Sequence, residues 1–246
     1  MHKKCIAILA TLACPHAALA LDNHVFSPDV VKGEFELEYG GTRTLDSDKA
    51  KNDVQKNEFE MGYGVTDWWQ AELGGSLERG PGEFQDFQSS EFENTFEFTP
   101  PGKYWADVGM LATYHFAAKR DGADSVETKL LLKHDEGRFT TLFNLGIERD
   151  VGKNAVAGNA ITSAINTRLR WLPQFEPGIE LQSDYGTWGD HNPFNEQQHY
   201  LGPVAYGTLL PQTLPGLKYD MGYLFGITEA AASGAARVHL EYEMHF

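Results

Sequence analysis

Ala236-Arg237-Val238-His239-Leu240-Glu241-Tyr242-Glu243-Met244-His245-Phe246 closes the chain, and its period decides how the rest is read. Every even position is apolar, and every odd position from Arg237 to His245 is charged or carries an imidazole. A strand turns successive side chains to opposite faces, so this stretch has one oily and one wet face. A single such strand is an edge. The question is whether the chain supplies neighbours with the same two faces.

It supplies eleven. Phe35, Leu37 and Tyr39 alternate with Glu34, Glu36 and Glu38; Phe59, Met61, Tyr63 and Val65 alternate with Glu58 and Glu60; Trp69, Ala71 and Leu73 alternate with Gln70 and Glu72. The same period returns over 91–98, 107–116, 127–133, 139–148, 161–171, 179–185, 200–209 and 217–227, with Pro203 interrupting the donors of the tenth segment. No run of helical length and no sustained helical stripe occurs after Lys32. Two series of connectors separate the segments. Thr66-Asp67, Thr99-Pro100-Pro101-Gly102-Lys103, Asp135-Glu136-Gly137, 173–178 and 211–216 are short and rich in turn residues, whereas 45–53, 79–86, 117–125, 150–159, 186–196 and 228–234 are longer.

Composition agrees with that pattern once its two faces are separated. The 246 residues carry 20 Lys and Arg against 35 Asp and Glu, a formal charge of -15, which removes the basic footprint that nucleic-acid binding needs. A mean hydropathy of -0.40 argues against helical spans but not against spanning strands, whose apolar residues come only at alternate positions. His2, Lys3 and Lys4, an apolar stretch from Ile6 to Ala13 and the closing Ala18-Leu19-Ala20 read as a secretory signal peptide over residues 1–20. Its removal leaves 226 residues with 18 basic and 35 acidic side chains and no cysteine, which excludes disulfides, thiol chemistry and Cys-based zinc sites.

The expected fold is therefore all-β: a twelve-stranded antiparallel transmembrane β-barrel with short periplasmic turns and longer extracellular loops, spanning residues 32–246. An even strand number puts both barrel termini on the periplasmic side, and residues 21–31 form a periplasmic lead-in whose sequence gives no reason to place it in the lumen. Trp69, Trp105, Trp171, Tyr242 and Phe246 fall beside short turns or at the chain end, where a periplasmic aromatic girdle would lie.

The terminal run Arg237 to Phe246 resembles the last strand of bacterial outer-membrane barrels. That resemblance implies export to the outer membrane of a Gram-negative cell, contact with its lipid, and recognition by the barrel-assembly machinery through the strand ending in Phe246. Gly62-Tyr63-Gly64-Val65-Thr66-Asp67 followed by Trp68-Trp69 is similar to a turn of small transporter-like barrels of the meta-pathway phenol-degradation type.

With the oily set outward, the alternate set lines a lumen. Glu34, Glu36, Glu38, Glu58, Glu60, Glu72, Glu93, Glu241 and Glu243 form an acidic wall on strands one to four and twelve, and Lys129, Lys133, Arg168 and Arg170 form a basic strip across from it. Such a lumen suits passive passage of small polar or cationic solutes and needs no cofactor. Two other readings are open, a barrel with a plugged lumen and a lipid hydrolase with a Ser/His site. For the hydrolase the candidates are His115, His134, His191, His199, His239 and His245 with Ser76, Ser89, Ser90, Ser163 and Ser183, joined by no local nucleophile motif, so no catalytic residue is assigned. His239 and His245 are six strand residues apart, about 20 Å, too far to share an ion. Asp190-His191 is the remaining candidate for metal contact, and no metal site is assigned.

Overall fold

The computed structural model describes residues 21–189, 193–210, 212–214 and 216–245. Residues 1–20, Asp190, His191 and Phe246, each named above, lie outside the described residues. Twelve strands follow one another: β1 (Glu34–Leu45), β2 (Gln55–Thr66), β3 (Trp69–Arg79), β4 (Asp86–Glu97), β5 (Asp107–Ala117), β6 (Asp124–Glu136), β7 (Phe139–Val151), β8 (Ala160–Leu169), β9 (Glu176–Thr187), β10 (Gln198–Thr208), β11 (Leu217–Gly226) and β12 (Gly234–His245). A single 3-10 turn, Phe194–Glu196, interrupts them, and no helix among the described residues is long and apolar enough to cross a membrane.

Each strand pairs antiparallel with its sequence neighbours, and β1 pairs with β12 from Glu34↔His245 to Leu45↔Gly234, so the sheet closes on itself. Closure leaves no unpaired edge, which is what a strand fold in hydrocarbon requires. The end where Glu34 meets His245 is called the terminal end, and the other the loop end. Tight two-residue turns lie at the terminal end, Asp67–Trp68 and 137–138. The connector 98–106 is longer than its turn motif suggests, because Pro100 and Pro101 bring no donors and side chains replace the ladder: Val108 N–H donates to Thr99 Oγ1 (2.8 Å) and Gly102 N–H to Asp107 Oδ1 (2.7 Å). Pro203 likewise opens the β10–β11 ladder, which skips from Leu201↔Phe225 to Val204↔Gly222.

The two faces are sorted by parity. Phe59 and Leu73 are 54% and 59% exposed, whereas Glu58 and Glu72, one residue away, are 8% and 6% exposed. Such a continuous outer band of Phe, Leu, Met and Ile is far larger than a water-exposed surface normally carries. The inner face is less uniform than the alternation suggests. Leu111 on β5, Leu131 on β6, Leu142 on β7 and Ala164 on β8 sit at inward positions and are buried. They need a partner inside the barrel, and the lead-in supplies one.

Residues 21–31 run up the lumen from the terminal end. Val25 packs with Leu142 and Ala164, and Asn144 pairs both backbone groups of Phe26, accepting from its N–H (2.8 Å) and donating to its carbonyl (2.9 Å). The approach is close enough to need bare backbone on the wall. A Cβ at Gly40 would lie 1.8 Å from the Asn23 side chain, and one at Gly109 would lie 2.7 Å from Pro28 Cβ.

Candidate functional site in the lumen

Strand register sets side by side the carboxylates expected to form an acidic wall. Glu36 pairs with Glu243, Glu38 with both Glu241 and Glu60, and Glu72 with Glu93. Cβ atoms in such pairs are about 4.5–5.5 Å apart, and like charges so placed repel. The wall tempers this repulsion with hydrogen bonds. Gln70 donates to Glu36 and to Glu72 Oε1 (3.1 Å), Thr113 donates to Glu93 Oε2 (2.9 Å), and His239 Nε2 meets Glu38 Oε2 at 2.6 Å. Lys218 pairs with Glu243 and reaches Glu241 at 3.5 Å, His245 lies 2.9 Å from Glu34, and Lys56 lies 2.5 Å from Glu58. His239 and His245 thus have separate partners.

The basic strip is compensated locally. Lys129 contacts Asp22 (3.0 Å) and Glu127 (3.2 Å), Lys133 contacts Asp29, Arg168 contacts Glu176 (3.4 Å), and Arg170 contacts Asp135 (3.0 Å). Two of those carboxylates, Asp22 and Asp29, come from the lead-in. The lead-in therefore cancels part of the basic side and leaves the acidic side in excess.

Two sizeable cavities lie in the lumen among the described residues. One, of about 790 Å³, lies at the loop end and is lined by Leu21, Asp22, Lys56, Glu78, Glu91 and His115 among others. The other, of about 890 Å³, lies at the terminal end and is lined by residues 24–27 and 29–31 together with Glu34, Glu36, Glu38, Glu72, Glu93, Glu241 and Glu243. Asn23 belongs to neither and stands where they part. It is tied on both sides: its Nδ2 donates to Glu58 Oε2 (2.6 Å), and its carbonyl accepts from Arg237 Nη1 (2.7 Å). The Arg237 side chain is 0% exposed and is held in turn by Glu180 (2.5 Å) and Asp220 (2.8 Å). Gln182 also donates to the Asp22 carbonyl (3.0 Å). The buried backbone of the lead-in thus finds partners on the wall, as buried polar groups must.

Among the described residues, three groups of ligand-type side chains converge within 4.8 Å and could hold a cation: His24 with Glu38 and His239, Glu34 with Glu36 and Glu243, and Glu36 with Glu38 and Glu72. The parity pattern placed the carboxylates, but nothing local to His24 showed that it would meet His239, on which its ring stacks with centroids 4.1 Å apart. Trp69, Trp105, Trp171 and Tyr242 all lie at the terminal end; Trp105 and Trp171 are strongly exposed, and the Trp69 indole N–H donates to Asn94 Oδ1 (3.1 Å). Of the serines and histidines weighed as a hydrolytic pair, Ser183 and His199 share a hydrogen bond (2.8 Å).

No family model and no curated protein sequence matches the chain, so the likeness of its Gly62 to Trp69 turn remains a likeness of motif. Among solved structures it is similar to the NanC porin, with a TM-score of 0.57 and 11% identity over 85% of this chain and 100% of that one. It is also similar to the KdgM porin, with a TM-score of 0.54 and 10% identity over 85% of this chain and 99% of that one. In fold, the chain is a closed twelve-stranded antiparallel barrel of the outer-membrane porin kind.

Proposed function

We propose that the chain is an outer-membrane conduit for small cationic or polar solutes, narrowed by its own lead-in at Asn23. The excess of carboxylates around the terminal-end cavity carries this reading, because the repulsion stored in Glu36–Glu243, Glu38–Glu241 and Glu72–Glu93 falls when a cation enters. The oily outer band, the closed ladder and the fold shared with porins support the membrane location. No resident cofactor is invoked.

The neck at Asn23 also favours a second reading, a structural barrel plugged by the lead-in. One experiment separates the two. The protein is placed in planar bilayers as the natural chain and as a variant with residues 23–28 and 30 replaced by Gly/Ser, Asp22 and Asp29 being kept as the partners of Lys129 and Lys133. A conduit shows a small conductance that grows on replacement, with reversal potentials in a KCl gradient indicating preference for K⁺. Silence of the natural chain, whether or not the variant conducts, or anion preference in the open variant would refute the conduit.

A further inference from the structure

By strand parity Ser183 and His199 belong to the outward-facing set of β9 and β10, although Ser183 also borders the loop-end cavity. They alternate with the inward Gln182 and Tyr200 and share parity with the outward Ile179, Leu181 and Leu201; in register His199 pairs with Ser183, and Ser183 with Ser163 on the next strand. Both stand close to the loop end, His199 being the second residue of β10. An outer face bordering hydrocarbon is an expensive place for a hydroxyl and an imidazole. Here the two are ordered into a relay. The Ser183 hydroxyl donates to His199 Nδ1 (2.8 Å), and Nε2–H of the same ring donates to Gln197 Oε1 (3.0 Å). An amide oxygen only accepts, so Gln197 fixes the tautomer that leaves the Nδ1 lone pair facing the serine. Nucleophile, base and orienting group therefore stand in the order that acyl transfer requires.

The site is covered. Ser183 and His199 are 7% and 5% exposed, the Phe194 ring stacks on His199 with centroids 4.8 Å apart, and Tyr185 meets the same imidazole edge-on at 5.5 Å. Phe194 is itself well exposed and belongs to the short 3-10 turn rather than to the ladder, so it can be displaced without breaking a strand.

The geometry points to a second activity, independent of the conduit: Ser183, His199 and Gln197 form an acyl-ester hydrolase site that faces the leaflet at the loop end and takes a fatty-acyl ester of a membrane amphiphile. Ser183 Oγ attacks the ester carbonyl carbon as its proton passes to His199 Nδ1. The tetrahedral adduct collapses with cleavage of the acyl C–O bond, and the imidazolium returns the proton to the departing alcohol. A water deprotonated by the same nitrogen then attacks the acyl-serine, and the fatty acid leaves as Oγ regains its proton. Beside Ser183 in register, the Ser163 hydroxyl shares a hydrogen bond with the Tyr185 hydroxyl (2.9 Å), which it must leave to serve the developing oxyanion. Gln197 is a positioning residue.

The test uses the purified full chain in detergent and in vesicles, with a fluorescent fluorophosphonate as the active-serine probe. Two ester sources are offered separately, phosphatidylethanolamine vesicles and lipopolysaccharide, and released fatty acid is measured. The expected result is labelling that maps to Ser183, is abolished by Ser183→Ala, falls at least about a hundredfold in His199→Ala and speeds up in Phe194→Ala; fatty acid release from one source names the amphiphile. Gln197→Glu places a carboxylate behind the ring, so the rise of rate with pH moves to higher pH, which a merely structural role would not produce. His199→Asn serves as second variant if His199→Ala does not fold, and heat-modifiable migration in gel electrophoresis together with β-sheet circular dichroism confirms folding throughout. Labelling that persists in Ser183→Ala would overturn the proposal, as would a folded Phe194→Ala protein that is neither labelled nor active on either ester.

Discussion

Arg237 shows how much one side chain does in this lumen. Its guanidinium is fully buried, is ion-paired to Glu180 on β9 and Asp220 on β11, and donates to the Asn23 carbonyl. Removing one member of a buried charge cluster strands the others, which typically costs about 3–5 kcal/mol. Arg237→Ala is expected to lose that much in urea unfolding from lipid vesicles, and a loss under 1 kcal/mol would mean that the cluster is solvated. On the other face, Leu73→Arg places a charge in the oily band and is expected to cost about 2–4 kcal/mol if it lies near the midplane. Glu72→Gln, one residue away, removes a like-charge clash with Glu93 and should be neutral or stabilising in the same measurement. The face of each residue was legible in the sequence because the period of a strand is two. The partners of Arg237 were not, since Glu180 and Asp220 are set by closure of the whole sheet rather than by any local spacing.

Among the elements, the strands were readable and the lead-in was not. Residues 21–31 have no period, and most of their ties to the wall run to side chains more than a hundred positions away, such as Lys129, Asn144 and Arg237, with Glu58 and Glu97 nearer in sequence. The signals that could have found it lie on the wall: inward leucines at 111, 131 and 142 where polar residues were due, and glycine at the inward positions 40 and 109. Gly109→Val follows from this, because its side chain would overlap Pro28. It is expected to loosen the lead-in, at some cost to the ladder where the same Cβ meets the Phe96 carbonyl (2.7 Å), read as faster maleimide labelling of Asn23→Cys, the only cysteine after residue 20. Unchanged labelling would show that the lead-in has other anchors sufficient to hold it. At the loop end, two connectors are joined by Asp46, whose carboxylate accepts from the Asp48 N–H and the Ser233 N–H, each at 2.7 Å. Those two donors, the first the stronger influence, hold its pKa below the ordinary 3.8. A depressed carboxylate contributes in full above its unfolded value and loses that contribution as pH falls through its folded one. The Ser233 amide shift in NMR is therefore expected to stay constant down to pH 3.8 and to move below it; a midpoint above 3.8 would contradict the link.

At the scale of the whole molecule, charge placement and closure act together. Closure brings β12 beside β1, so carboxylates from opposite ends of the chain, Glu36 and Glu243 or Glu38 and Glu241, become neighbours and make one acidic surface out of two separate sequence patterns. The lead-in then pairs Asp22 and Asp29 with Lys129 and Lys133, which removes the cations best placed to oppose that surface. Selectivity in the proposed conduit should accordingly come from the wall's field rather than from a single binding residue, and a field is screened by salt. The screening length is about 10 Å at 0.1 M and about 3 Å at 1 M, so it is comparable to the lumen in the first case and much smaller in the second. With residues 23–28 and 30 replaced by Gly/Ser, and Asp22 and Asp29 kept, the K⁺ over Cl⁻ preference is expected to be strong at 0.1 M and to fade towards that of free solution at 1 M. Neutralising Glu36, Glu38 and Glu72 together to Gln should flatten this salt dependence while leaving the conductance at 1 M nearly unchanged, because the width of the lumen is kept. A preference that survives 1 M salt, or that is indifferent to the three substitutions, would place the selecting element at the neck and not along the wall.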